Sequence, residues 1–456
     1  MRRSPVRVRE VAQKRPFRAF FLQNILYFGI FFVPLQPEMR KIGFILTFLV
    51  LSASLLAQTA TRVYKENVRT LRVERRALVL ENGVVDGSDP DNTLHISFDE
   101  MSHDVHFYSY RISRPYEYYL SSGEYVQGFI TGDITDYEHS INTSREYTHY
   151  RFDFPNEDMK LTMSGLYRLY IYEGNDWTKR VAEVDFYVVE PLVQIDARVR
   201  ANTDIEFNGR YQQVDVDVDI SALDVRNPDE VRVLVMKNNR KGCSISKPTF
   251  VEPKRLRFIN NKDLIFEGGN EYHHFDAFSC FYAGHGIDRV FHENGDYQVL
   301  LYPDEVTQGQ YIHEFDSNGR FVVNAERTDD PDTEAEYMWV HWTLPMEKPF
   351  FDGALYVDGD LFNNELNLRN RMEYDNEAKC YWLTALVKQG GYDYRYVFLP
   401  KAIMYGDLGY QPPYTIEQVD GSYWQTENEY TVYVFWKPFG ARYELLVGMQ
   451  TKKSTR

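Results

Sequence analysis

From Val63 onward almost no stretch of this chain repeats its apolar residues at helical spacing. Short runs alternate apolar with polar side chains and break at clusters of Gly, Pro, Asn and Asp. Alternation with period two puts every second side chain on one face of a strand, so such a chain buries its apolar residues by laying sheets face to face. Leu94, Ile96 and Phe98 alternate with His95 and Ser97; Val214, Val216, Val218 and Ile220 alternate with Asp215, Asp217 and Asp219; Val231, Val233 and Val235 enclose Arg232 and Leu234. The pairs Asn82-Gly83, Asp86-Gly87, Asn318-Gly319 and Asp420-Gly421 supply the positive φ angles that tight hairpins need. Aromatic residues make up 16% of the chain, with 35 Tyr and 30 Phe against 6 Trp, and favour strands. The fold class expected is all-β.

A repeated pattern and the chain length give the domain organisation. A length of 456 residues suits two to four domains of roughly 100–200 residues. A glycine followed by a Tyr-initiated alternating strand occurs at Gly165 to Tyr172, again at Gly295 to Tyr302, and more loosely at Gly391 to Phe398. In immunoglobulin-like sandwiches such a pattern marks a late strand whose Tyr hydroxyl bonds back to the preceding corner. The expectation is three consecutive immunoglobulin-like β-sandwiches, at 62–190, 191–326 and 333–452. The first boundary falls at Glu190-Pro191 and the second at the acidic stretch Asp329 to Glu334, read as a linker.

Residues 1–57 have a different character and are set aside as an upstream extension plus signal peptide. Met39, Arg40 and Lys41, the apolar run from Ile42 to Leu56, and Ala57 give the charged start, apolar middle and small-residue end of a secretory signal. Phe17 to Leu35 is long enough to span a bilayer. It reads as an extension ahead of a true start at Met39, the rival reading being an inner-membrane anchor. These 57 residues hold nine basic and two acidic side chains, so removing their net +7 from −16 leaves about −23. Phosphate-backbone affinity comes from Lys and Arg displacing counterions, so nucleic acid is excluded as a partner class. The chain is expected to be exported, acidic and without an anchor after cleavage. In an oxidising compartment Cys243 and Cys280 could pair; three separate buried thiols, with Cys380 the third, is the alternative.

No catalytic constellation stands out. Glycoside hydrolysis needs two carboxyl groups in complementary roles, and Asp352, Asp358 and Asp360 are the densest candidates, but Asp-Gly and Gly-Asp pairs are ordinary turn residues. Trp339, Trp342, Tyr356, Trp382 and Trp424 suit a carbohydrate-binding sandwich if exposed, yet period two sends Trp339 and Trp342 to opposite faces, so one is core. His273, His274, Cys280, His285 and His292, with Asp276 and Asp288, form the densest set of metal-ligand types, without zinc-site spacing. No Gly-x-Ser-x-Gly elbow or phosphate loop is present. No catalytic residue, cofactor or metal is therefore assigned, and the chain is read as a non-enzyme.

Several stretches carry a family resemblance. They are Tyr125 to Phe129, Asp133 to Thr143, Tyr147 to Tyr150, Phe154 to Met159, Ser164 to Tyr167 and Val188 to Pro191, followed by Lys247 to Phe250, Gly268 to Tyr272, Gly319 to Phe321 and Arg442 to Gly448. This series resembles the plug protein family of the type IX secretion system of Bacteroidetes, its first domain above all. The resemblance implies a periplasmic protein, peripheral to the outer membrane, that docks on the translocon barrel and closes it. An envelope carbohydrate-binding protein is the alternative function. Asp133, Asp136, Tyr137, Glu138, His139 and Asn142 are singled out as a candidate partner-contact loop, or else as turn residues whose side chains satisfy local backbone. Protein recovered from the periplasm should begin near Gln58. N-terminal sequencing checks this, and retention of residues 1–38 in membranes would contradict it.

Overall fold

The computed structural model describes residues 61–454 apart from 116, 118, 241–243, 307, 308, 310 and 402–413, and for 244–246 only the backbone. Residues 1–57 and Cys243 lie outside the described residues. Cys280 and Cys380 are free thiols, and burial pushes the Cys280 thiol up to about 12. Among the described residues no helix is long and apolar enough to cross a membrane.

The chain is all-β, and its strands form three sandwiches. In the first, one sheet runs β1 (Arg62–Val63), β12 (Arg180–Val189), β11 (Gly165–Glu173), β5 (Tyr108–Ser113) and β7 (Thr131–Ile134), with β3 (Ala77–Val79) beside β12. The facing sheet is β2 (Val68–Glu74), β4 (Leu94–Glu100), β9 (Thr148–Phe154) and β8 (Asp136–His139); β6 (Val126–Gly128) and β10 (Met159–Leu161) form a ribbon. Leu94, Ile96 and Phe98 meet Leu169, Ile171, Val184 and Phe186 in one core, as alternation requires.

The second sandwich pairs β13 (Gln194–Arg200), β14 (Tyr211–Asp219), β18 (Arg255–Phe258) and β17 (Phe250–Glu252), with β19 (Ile265–Glu267) beside β14. Opposite lie β16 (Ser244–Ser246), β15 (Val231–Lys237), β29 (Glu429–Trp436) and β30 (Leu445–Lys453). Val214, Val216 and Val218 pack on Val231, Val233, Val432 and Val434. The third has β20 (His273–Ala277), β28 (Gly390–Pro400) and β23 (Phe321–Val323), with β25 (Gly353–Asp358) beside β28. These face β21 (Ile287–Glu293), β22 (Asp296–Leu301), β24 (Tyr337–Pro345), β27 (Cys380–Lys388) and β26 (Glu373–Asp375) across a core holding Phe275, Trp342, Tyr392 and Tyr394.

The sheets do not divide where composition placed the second and third domains. After β19 the chain leaves the second sandwich, builds the whole third one, and returns with β29 and β30. Antiparallel pairing of β15 with β29, from Val231 opposite Trp436 to Lys237 opposite Tyr430, closes the second sandwich. The stretch Asp329 to Glu334 is therefore not a linker between cores; it contains a helical turn, Pro331–Glu334, docked on the first sandwich. The repeated glycine–tyrosine pattern marks strands, not domains, since β22 and β28 belong to opposite sheets of one sandwich. The corner bond itself forms twice: Tyr167 Oη donates to the Met163 carbonyl at 2.6 Å and Tyr392 Oη to the Lys388 carbonyl at 2.7 Å. The Asn82-Gly83 turn takes positive φ at both residues, 51° and 80°, the combination that a two-residue hairpin loop demands.

The first and second sandwiches meet through an apolar seam of Leu166, Tyr187, Val189, Leu234, Met236, Tyr433, Phe435 and Leu446. The Tyr187 and Tyr433 rings stack with centroids 4.2 Å apart. Tyr433→Ala empties this stack, and a large-to-small change at a packed aromatic site costs about 3 kcal/mol. Chemical denaturation of the variant should show a loss of that size.

Candidate interaction surface

The segment singled out in the sequence is not a loop but two strands that lie in different sheets. Asp133 lies on β7, which pairs with β5 in one sheet of the first sandwich. The chain crosses at Thr135, and β8 pairs with β9 in the other sheet. All four residues of β8 are exposed, because it is the outermost strand of its sheet and only one of its edges is paired. Asp136 and Glu138 fall on one face, where Arg151 of β9 reaches them at 2.9 and 2.5 Å. Tyr137 and His139 fall on the other; the Tyr137 ring lies 5.7 Å from that of Tyr150, and His139 Nδ1 is 3.1 Å from Thr148 Oγ1. The charges of β8 and Arg151 keep this edge soluble, while its free backbone groups can accept a further strand. Asn142 follows in a turn with φ 57°.

On both sides of that turn the chain is tied to the third sandwich. The Ile141 amide donates to the Thr333 carbonyl at 2.9 Å. Ser144 N and Oγ both donate to Glu336, at 2.8 and 2.7 Å, and Arg145 grips Asp296 with two bonds of 2.7 and 2.6 Å. So Asp133 and the β8 residues remain exposed, whereas the stretch around Asn142 is an inter-sandwich contact.

Directly beneath lies a buried charged cluster. Alternation along β4 sends Leu94, Ile96 and Phe98 inward and Asp99 outward, yet Asp99 is only 1% exposed, because the third sandwich covers it. Lys388 Nζ and Tyr337 Oη each donate to Asp99 Oδ2 at 2.7 Å, and His149 Nδ1 stands 2.6 Å from Oδ1. Lys388 also donates to the Asp332 carbonyl at 2.6 Å and sits 4.2 Å from the Tyr147 ring centroid. Arg72 of β2 pairs with Asp332 at 2.5 Å. Burial alone would raise the Asp99 carboxyl, but Lys388 and His149 together hold it below its ordinary value. Burial draws the Lys388 ammonium down, and Asp99 offsets part of that. Nothing in the sequence pattern announced this site except an acidic residue at the end of a strand and a lysine ending another.

The remaining candidates lie elsewhere in the fold. Asp358 is buried and held by the guanidiniums of Arg240 and Arg395, the latter at 3.1 Å, which joins the second sandwich to the third. Asp352 is exposed, and Asp360 accepts from Asn364 Nδ2. Trp342 is core, Trp339 donates from Nε1 to Asp296 at 3.2 Å beneath Arg145, and Tyr356 is buried; of this set Trp382 is the exposed one, at 41%. His273 sits between Asp304 and Asp420 at 3.2 and 2.9 Å, and His274 between Asp393 and Asp276 at 2.7 and 2.9 Å. His292 packs edge-on against Tyr297. Among the described residues no three His, Cys, Asp or Glu are placed to hold a metal ion.

The fold is thus an all-β one in which a first sandwich with an exposed acidic edge is locked to two further sandwiches. The sequence model described as type 9 secretion system plug protein 1st domain matches residues 68–190, nearly the whole of that sandwich. Residues 68–190 thus belong to the type IX secretion system plug first-domain family, which relates the chain to type IX secretion. It is also similar to the crystal structure of a hypothetical protein from Parabacteroides merdae ATCC 43184, with a TM-score of 0.80 and 31% identity over 88% of this chain and 100% of that one. No curated protein matches the chain.

Removing the cation from the buried cluster tests its weight. Lys388→Met leaves Asp99 buried without its ammonium, and breaking such a pair costs about 3–5 kcal/mol, measurable by urea denaturation at neutral pH. Because the folded Asp99 carboxyl is depressed, its contribution is fully present above the ordinary aspartate value of about 4 and is lost as pH falls through the folded-state value. Thermal melts on acidification should therefore fall less steeply for Asp99→Asn than for the parent protein.

Proposed function

We propose that this protein is a non-enzymatic periplasmic plug, which docks on the inner face of the outer-membrane translocon barrel of the type IX system and closes it while no substrate is engaged. The observation that carries this reading is the plug first-domain match over residues 68–190, the sandwich that presents β8. The physical features support it. A stopper must resist deformation, and all three sandwiches are coupled to one another, by the apolar seam, by the Asp99 cluster and by the Arg240–Asp358–Arg395 bridge. A stopper must also release, and two exposed edge strands, β7 with Asp133 and β8 with Asp136 and Glu138, give contacts that are steered by charge and weakened by salt. The carboxylate best placed by sequence for chemistry, Asp358, is neutralised between two arginines, consistent with a role in structure.

Affinity-tagged protein in envelope extracts should bring down a barrel subunit of very high mass, with recovery falling between low and high salt. Deleting the gene should sensitise cells to large antibiotics that the outer membrane excludes, without abolishing secretion. Salt-indifferent capture would mean an apolar interface, and unchanged permeability in the deletion strain would contradict the plug reading.

A further inference from the structure

A cleft of about 360 Å³ opens between the first and third sandwiches, and it is lined by both. Its floor is apolar: Leu383, Ala385 and Val387 of β27 with Phe362. Three arginines also line it, Arg69 from β2 of the first sandwich and Arg369 and Arg371 from the chain between β25 and β26 of the third. Other arginines of the first sandwich pair with carboxylates of the third: Arg62 meets Glu365 at 3.0 Å, Arg72 meets Asp332, and Arg145 meets Asp296. In a chain with 67 acidic against 51 basic residues, partners are in excess. Yet among the described residues no ion pair joins Arg69, Arg369 or Arg371 to a carboxylate. Arg369 spends one guanidinium nitrogen on the Lys65 carbonyl at 2.9 Å. The buried Nε of Arg69 has no protein acceptor, an arrangement that costs free energy until an acceptor arrives. Burial pulls both Arg69 and Arg369 below the ordinary guanidinium value and Arg69 pulls Arg369 down further; Glu66, near both, and Glu365, near Arg369, offset this only in part. Of the two carboxylates at the cleft, Glu365 is already engaged by Arg62 and Glu373 is an exposed residue of β26.

We propose that this cleft is a binding site for an acidic peptide segment of a partner protein, its carboxylates on Arg69, Arg369 and Arg371 and an apolar side chain on the floor of β27. Guanidinium forks match carboxylates in bidentate geometry, and three separate cationic heads call for several carboxylates in one ligand, which a single-headed anion does not offer. Because the cleft is lined by two sandwiches, its occupant would bridge them across the side of the molecule that also holds the Asp99 cluster. This inference does not depend on docking to a translocon.

Fluorescence anisotropy with a labelled Glu-Leu-Glu-Phe-Glu peptide and the full-length protein tests it, with the Gln-for-Glu peptide as control. The acidic peptide should bind, and the Gln version should not. Each guanidinium–carboxylate contact removed by Arg69→Gln or Arg369→Gln should weaken binding about tenfold, while Arg255→Gln, on an outward strand of the second sandwich, should leave it unchanged. Thermal melts check that each variant folds; the exposed Arg371→Gln gives the same readout should the partly buried positions fail that check. No binding, equal binding by the arginine variants, or full displacement by octanoate at the peptide's own concentration would overturn the proposal, the last by making a single-headed carboxylate sufficient.

Discussion

Two strands buried on both faces hold the molecule together. β12 gives Val184, Phe186 and Val188 to the core of the first sandwich and Tyr187 and Val189 to the seam. β29 gives Tyr430, Val432 and Val434 to the core of the second and Tyr433 and Phe435 to the same seam. Back to back, they make two sandwich cores and the layer between them one continuous apolar stack. Since β29 comes from the far end of the chain, the second sandwich cannot close without residues that follow the whole third sandwich in sequence. Long-range pairing of this kind carries a large closure entropy and slows folding, but it encloses the third sandwich within the second in sequence, so neither is an appended module.

The third sandwich is fastened to the first by different physics. Lys388, Tyr337 and His149 Nδ1 converge on the buried Asp99 carboxylate, and Lys388 also reaches the Asp332 carbonyl. Against apolar packing of equal volume such a cluster adds little net free energy, but it penalises any arrangement that leaves one member unpaired. It thus fixes which surfaces meet, while the apolar seam supplies adhesion. The arginines of the neighbouring cleft contrast with Lys388 and Arg72, which face carboxylates in this cluster.

The sequence made the fold class plain because period-two alternation and turn glycines are local signals. Val214, Val216 and Val218 are buried with Asp215, Asp217 and Asp219 turned outward, as their pattern requires. What the pattern could not show is which strands pair. The return of β29 to β15 involves residues some two hundred positions apart, so the proposed division at 326 and 333 followed composition and missed topology. The unbroken apolar run of Tyr433, Val434, Phe435 and Trp436 was a signal for a strand covered on both faces, and it marks the place where the partition went astray. At the candidate surface, the exposed acidic residues of Asp133 to His139 were legible as polar, but their strand character was hidden by turn-forming residue types. Asp99 was invisible because its burial comes from a sandwich more than two hundred residues away.

The central claim is that the first sandwich, through its β8 edge, faces the secretion barrel. Placing a photo-crosslinking amino acid at Tyr137, which is 39% exposed on that edge, and irradiating living cells tests it directly. The account predicts a single dominant adduct with an outer-membrane barrel protein of very high mass, absent when the same probe stands at exposed Phe250 on β17 of the second sandwich. Adducts from Phe250 but none from Tyr137, or adducts only with soluble periplasmic proteins, would contradict it.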